Sequence, residues 1–423
     1  MQRLLVSLIF ILVLGDCLLP AIRPASPEGG TEGATGVLTK EQWRQDLQYL
    51  AKELPRRHKN AFHTVSREAF ERGVAELDAA IPSLQEFEII VRLQQIIALV
   101  GDAHTAFFTF PPKTFRRYPL SLVWFGNELR VTRTTVAYRR ALGGRVVRIG
   151  ELSIAEAAAR VSRLVPHEND YWVRYVNVGY MTSPEVLFTL KILPSVERGQ
   201  WAFEDAEGKQ FSLDFSALSP DEKIEWLSTL KEVPLFRQRQ GEQFWFTPLP
   251  DSQTLYVNLR GYPETNTFKR ISDDVLKLID TSQPKRLVID VRQNTGGDFN
   301  KGRYLLAGLK KRDAFRNHGS VYIITGRATQ SAAMVNAIDF RKELNAVLVG
   351  EPTGGRPNSY SENDEFRLPN SNLEVSYSTR YYKFQDTDTA AVMPDKLIEP
   401  SWESYPSGRD TVMEWILTQP LNK

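Results

Sequence analysis

The chain has 423 residues, 42% hydrophobic and 25% charged, an ordinary globular composition with room for two or three domains at roughly 150 residues each. Its 53 basic and 51 acidic residues leave a net charge of +2, so composition gives no electrostatic case for a nucleic-acid partner or an acidic ligand. One cysteine and five histidines, without HxH or HExxH spacing, exclude a disulfide framework and a thiolate zinc site and argue against any metal or redox cofactor. Acid–base, nucleophilic or pure binding chemistry remains.

Residues 1–19 read as an export signal: Arg3 precedes an apolar run, Leu4 to Leu14, shorter than the roughly 20 residues that span a bilayer. Cys17 follows in Leu14-Gly15-Asp16-Cys17, which resembles a lipoprotein lipidation box and would tether the chain to a membrane; plain cleavage after Gly15 or within the next ten residues is the alternative. The expected location is periplasmic or extracellular. Residues 20–37, rich in Pro, Gly, Ser and Glu, read as a flexible linker.

Residues 38–107 read as a helical region. Thr39 with Gln42 forms a capping box ahead of Trp43, Leu47, Leu50 and Leu54. Phe70, Val74 and Leu77 mark a second helix. Ser83 with Glu86 suggests another box before the stripe Phe87, Ile90, Leu93, Ile97, with Gly101 as C-cap. Residues 108–235 turn to period two, with strands at Leu120 to Phe125, Leu129 to Thr132 and Arg145 to Ile149. A helix over Ile154 to Leu164 and a hairpin turning at Glu207-Gly208 complete a β-rich module with one or two helices. Residues 236–420 alternate strand and helix: strands at Leu255, Leu287, Val321 and Ala346, and helices near 268–279, 300–311 and 331–343. Near-continuous apolar strands of this kind imply an α/β fold with a sheet covered on both faces.

Three stretches sit where elements end. Asp290-Val-Arg-Gln-Asn-Thr-Gly-Gly297 follows a buried strand, and its paired glycines let backbone amides approach a ligand, as an oxyanion hole requires; a plain strand-to-helix turn explains it equally. Ser331 opens a helix after Thr325-Gly-Arg-Ala-Thr-Gln. It suits either an N-cap or a nucleophile favoured by the helix dipole. Gly101-Asp-Ala-His104-Thr lies at the junction of the helical and β-rich regions, where clefts form. His318 precedes the strand that leads to Ser331 and falls at the opposite end of the sheet. Gly350-Glu-Pro-Thr-Gly-Gly-Arg356-Pro lacks the lysine and spacing of a phosphate loop.

Together these stretches, with Leu368-Pro-Asn-Ser and Met393-Pro-Asp395, resemble the tail-specific or C-terminal processing serine peptidases, a superfamily that also holds the tricorn core peptidases and the interphotoreceptor retinoid-binding proteins. The resemblance covers roughly residues 40–415. It implies a crotonase-like α/β catalytic domain, an N-terminal helical region and an inserted, degenerate PDZ-like module around Gly143 to Ile154. It also implies an exported peptidase that cuts peptide or protein substrates without a cofactor. Ser331 matches the nucleophile, and the amides of Gly297 and Ala332 match the oxyanion donors. The processing branch's lysine base falls on Arg356, which cannot deprotonate, so a Ser–Lys pair would need another lysine such as Lys383. The tricorn branch's histidine base falls on His104, and its orienting acid on Asp388. Arg356 could hold a substrate carboxylate or, equally, sit in a surface salt bridge. Met334 and Ala103 replace the motif's Glu and Gly, which keeps open a non-catalytic ligand- or peptide-binding protein on the same fold; an esterase is a lesser alternative.

Overall fold

A computed structural model describes residues 37–421; the export signal, Cys17 and nearly all of the linker lie outside the described residues. Thr39 caps α1 (Lys40–Arg57) through the expected box with Gln42. Ser66 caps α2 (Arg67–Ala80). α3 (Glu86–Ala98) starts from a box made by Gln85 and Glu88, two residues later than expected. Ser83 is taken up by a 3₁₀ turn over Ile81–Ser83 with Pro82 in its first turn, and its hydroxyl donates to the Ala80 carbonyl at 2.9 Å.

β1 (Ala106–Phe107) leads into the β-rich module. β2 (Leu120–Phe125), β3 (Glu128–Thr134), β4 (Arg145–Ile149), β6 (Arg198–Glu204) and β7 (Gln210–Ser216) lie side by side, with β5 (Leu152–Ser153) on β4 and β8 (Leu227–Ser228) on β3. Between β5 and β6 come α4 (Ile154–Ser162), α5 (Asp170–Tyr180) and α6 (Pro184–Thr189), one helix more than the sequence suggested. The Asn169 side chain caps α5 by accepting the Trp172 amide.

The remainder builds a six-stranded sheet in the order β16-β13-β12-β11-β10-β9. β10 (Thr254–Leu259), β11 (Arg286–Asp290), β12 (Val321–Thr325), β13 (Val347–Gly350) and β16 (Lys396–Leu397) run parallel, and β9 (Phe244–Leu249) is an antiparallel edge. Strand residues alternate between two apolar layers. Leu287, Ile289, Ile323 and Leu348 pack with Phe268, Leu305 and Phe340 from α7 (Thr265–Ser282), α8 (Phe299–Leu309) and α9 (Ala332–Leu344). Tyr256, Val288, Tyr322 and Ile324 pack on the other face with Val412, Met413 and Ile416 of α10 (Thr411–Thr418). Both faces are thus covered, which is why the strands carry almost no polar residues. Among the described residues no helix is long and apolar enough to cross a membrane.

A hairpin of β14 (Asn358–Arg367) and β15 (Glu374–Lys383) leaves this sheet and pairs with β1. Its Phe366, Leu368, Val375 and Tyr377 bury in the same core as Trp43, Leu47 and Leu93. The C-terminal part of the chain therefore reaches back into the N-terminal helices, and this return brings the two halves of the site together.

Candidate active site

Ser331 sits between the Thr325–Gln330 loop and α9 with φ 51° and ψ −124°, a strained backbone for a residue with a side chain. Surrounding bonds hold it there. Thr329 Oγ1 donates to the Val291 carbonyl and accepts the Gly326 amide, both at 2.9 Å. Gln330 N–H donates to the Asn294 carbonyl at 3.1 Å, and the Gln330 side chain accepts the amide of Ser331. The simple N-cap reading fails, because the Ser331 hydroxyl makes no capping bond to the helix. Its Oγ lies 3.1 Å from His104 Nε2 instead.

His104 is fixed by its backbone. Its amide donates to Asp102 Oδ1 at 3.1 Å, and its carbonyl accepts from Ser376 Oγ at 2.7 Å. Asp102 is fully buried and also accepts from Thr105 Oγ1 at 2.9 Å and Ser378 Oγ at 2.8 Å; its Oδ2 lies 2.8 Å from His58 Nε2. Burial alone would raise the Asp102 carboxyl, but the His58 bond, the His58 and His104 rings and the Ser378 hydroxyl together hold it below the usual carboxylate range. Burial pushes the His104 imidazole below its ordinary value, against the opposing pull of Asp102 and the Tyr360 carbonyl. Near neutral pH the ring is therefore an uncharged base facing a hydroxyl. Ser361 Oγ lies 3.3 Å from the same nitrogen.

The glycine loop packs directly on Ser331. Gly296 has φ 119°, and a Cβ there would sit 2.7 Å from Ser331 Cβ. Gly297 has φ 145°, and a Cβ there would sit 2.7 Å from Tyr262 Cδ2. Only glycine meets both demands. Asn294 braces the turn by donating to the Leu259 carbonyl and accepting the Gly296 amide, each at 2.9 Å. Farther back, Arg292 joins Asp290 and Asp410 at 2.8 Å each and lies over the Phe236 ring. These residues give the Asp-x-Arg-x-Asn part of the motif a structural role. Ala332 stands in the first turn of α9, where backbone amides have no acceptor within the helix.

Arg356 sits in the surface salt bridge that was one of its two expected places, and Asp388 is its partner. They pair with each other, Nη2 to Oδ2 at 2.6 Å. The sequence expectation that Asp388 orients His104 is thus not met: its carboxylate turns to the nearest strong cation. Arg356 lines a cavity of about 700 Å³ with His63, His167, Glu168, Tyr360 and Tyr381. Lys383 is exposed and lies 4.0 Å from Asp386, so it brings no amine to Ser331. The sequence singled out none of His58, Asp102, Glu168, Ser361 or Ser378. Asp102 stood inside the Gly101–Thr105 motif; the others had no local signal, because only the fold brings them to His104. Asp102, His104 and Glu168 are also the described residues whose donor atoms could converge on a cation. Asp102 already accepts four donors, which suits a hydrogen-bonded acid–base cluster better than an open ligand set.

No protein-family model matches the sequence, and no curated protein matches it either. Solved structures do. A complex of mature CPAF with lactacystin superposes with a TM-score of 0.58 at 11% identity, covering 89% of this chain and 97% of CPAF. A serine-to-alanine mutant of CPAF gives 0.61 at 9% identity over 91% and 99%. The chain has the CPAF fold. The photosystem II D1 C-terminal processing protease also matches, with a TM-score of 0.41 at 13% identity over 89% and 96%. These neighbours are members of the tail-specific and C-terminal processing protease family, and the mixed α/β architecture is the one this chain shares with CPAF.

Proposed function

We propose that the chain is an exported serine peptidase with Ser331 as nucleophile and His104 as general base. One observation carries the reading: two residues 227 positions apart meet at 3.1 Å, hydroxyl to imidazole, with the serine held in a strained turn at a helix N-terminus. That combination suits a nucleophile better than a cap. In the proposed reaction His104 Nε2 takes the hydroxyl proton as Oγ attacks a peptide carbonyl. The carbonyl oxygen becomes an oxyanion facing the amides of Gly297 and Ala332, and the same proton then passes to the leaving amine. Each such donor is worth about 3 kcal/mol in comparable sites. Arg356 serves the reading as a charged rim residue whose pairing with Asp388 a substrate carboxylate could replace. The parallel sheet would be the crotonase-like catalytic domain and the β-rich module the PDZ-like insertion.

The test is covalent labelling of the full chain by a fluorophosphonate. Labelling of wild type but not of Ser331→Ala is the expected result. A wild-type chain that stays unlabelled while binding peptides would favour the non-catalytic alternative.

A further inference from the structure

The Ser331–His104 pair lacks an acid on the other side of the imidazole, and the residue matched to that role from sequence is engaged by Arg356. Asp102 does not fill the place: its oxygens are committed to His58, Thr105, Ser378 and the His104 amide. Among the described residues two buried polar atoms nearby, His104 Nδ1 and Glu168 Oε2, make no hydrogen bond; the Tyr360 carbonyl is the other group that draws on the ring. A His104 ring nitrogen and carboxylate oxygens of Asp102 and Glu168 all lie within 4.8 Å of one another.

Glu168 is anchored for such a task. Its Oε1 accepts the amide of Ala103, the residue before His104, at 3.1 Å. Its neighbour Asn169 donates to the Gly354 and Ala390 carbonyls at 3.0 and 2.8 Å, which ties this segment to the loops around Arg356 and Asp388. The cavity of about 700 Å³ borders Glu168. We propose that Glu168 is the positioning residue for His104: its free oxygen takes the Nδ1–H of the ring, directly or through one water, so that Nε2 faces Ser331. The acid would then come from the segment between α4 and α5, not from the C-terminal loop where the sequence pattern points. The inference rests on the serine-peptidase reading. When Ser331 passes its proton to Nε2, Nδ1 keeps its own, and the Glu168 carboxylate stabilises the imidazolium without receiving a proton.

The groups around Glu168 are Asp102 and His104 from the loop after α3, Arg356 from the loop after β13, and His63, His167, Tyr360 and Tyr381, which line the same cavity. Burial first, and the charge of Asp102 second, push its carboxyl up to about 8. In the proposed arrangement the competent form has lost the carboxyl proton.

The test measures the rate of fluorophosphonate labelling of the full chain against pH, with Ser331→Ala as blank. Wild type is expected to gain rate through pH 8. Glu168→Gln is expected to label at least about tenfold more slowly, with its pH midpoint moved below 6.5. Glu168→Asp is expected to keep the alkaline midpoint and recover part of the rate, which a purely structural role would not produce. Glu168→Gln labelling at the wild-type rate with the wild-type midpoint overturns the inference and leaves the hydrolase reading intact. Wild type that never labels overturns the hydrolase reading, and the role of Glu168 with it. Should Glu168→Gln fail to fold, an unchanged rate and midpoint in Glu168→Asp overturns the inference, and a slower rate with the alkaline midpoint supports it.

Discussion

Asp388 and Arg356 form a two-point ion pair, Oδ1 to Nε at 3.2 Å and Oδ2 to Nη2 at 2.6 Å, at the surface. Exposed pairs of this kind contribute roughly 0–1 kcal/mol. Asp388→Ala is therefore expected to lower stability by less than about 1 kcal/mol and to change kcat less than tenfold. A loss near that of Ser331→Ala would return Asp388 to the catalytic machinery.

Ser331→Ala is expected to lower peptide turnover at least about 10³-fold, whereas Arg356→Ala should raise KM with little change in kcat. Steady-state kinetics on one peptide series separates the two, since a binding residue and a nucleophile move different constants.

Gly296→Ala adds a methyl 2.7 Å from Ser331 Cβ at φ 119°. The backbone strain costs about 1–3 kcal/mol, and a displaced nucleophile loses about 10²-fold in kcat. Thermal unfolding and kinetics should show both effects. A fully active, equally stable variant would mean that the loop stands farther from Ser331 than described.

Asp102 is buried with four hydrogen-bond donors on its carboxylate. Asp102→Ala strips His58, Thr105 and Ser378 of their shared acceptor at once, so a stability loss of about 3–5 kcal/mol is expected from denaturant unfolding, with turnover falling because the His104 amide loses its tether.

Glu168 has a folded pKa raised from 4.5 to about 8. Its proton is bound in the folded state and absent from the unfolded state between those values, so stability falls as pH rises from 4.5 to about 8 and levels off above. Glu168→Gln should match wild type near pH 5 and exceed it at pH 9, by a few kcal/mol at most at about 1.4 kcal/mol per unit. Chemical denaturation at the two pH values checks the sign.

The parallel sheet was readable from sequence because its strands are buried on both faces and carry almost nothing polar: the run at Val321 to Thr325 coincides with β12. The first helix was readable from its Thr39 cap and the second from its stripe of Phe70, Val74 and Leu77. The β14–β15 hairpin was not, because β14 buries only Asn358 and Phe366 along its length and the rest of its residues are polar or exposed. Missing the hairpin hid the surroundings of His104, since Ser361, Ser376 and Ser378 all come from it. Ser331 and His104 could be named from their motifs. Glu168 could not, because an isolated glutamate ahead of a helix has no local pattern that separates it from a solvated one.

The separation of 227 positions between His104 and Ser331 carries a consequence for the life of the chain. Made from the N-terminus, the polypeptide holds its imidazole long before its hydroxyl exists, and the β14–β15 hairpin that clamps the imidazole is synthesised later still. No shorter nascent product can join the two, so bond-breaking capacity arises only after the last long-range closure, a slow event for contacts so distant in sequence. Until then the hydroxyl and imidazole of the proposed pair cannot act together.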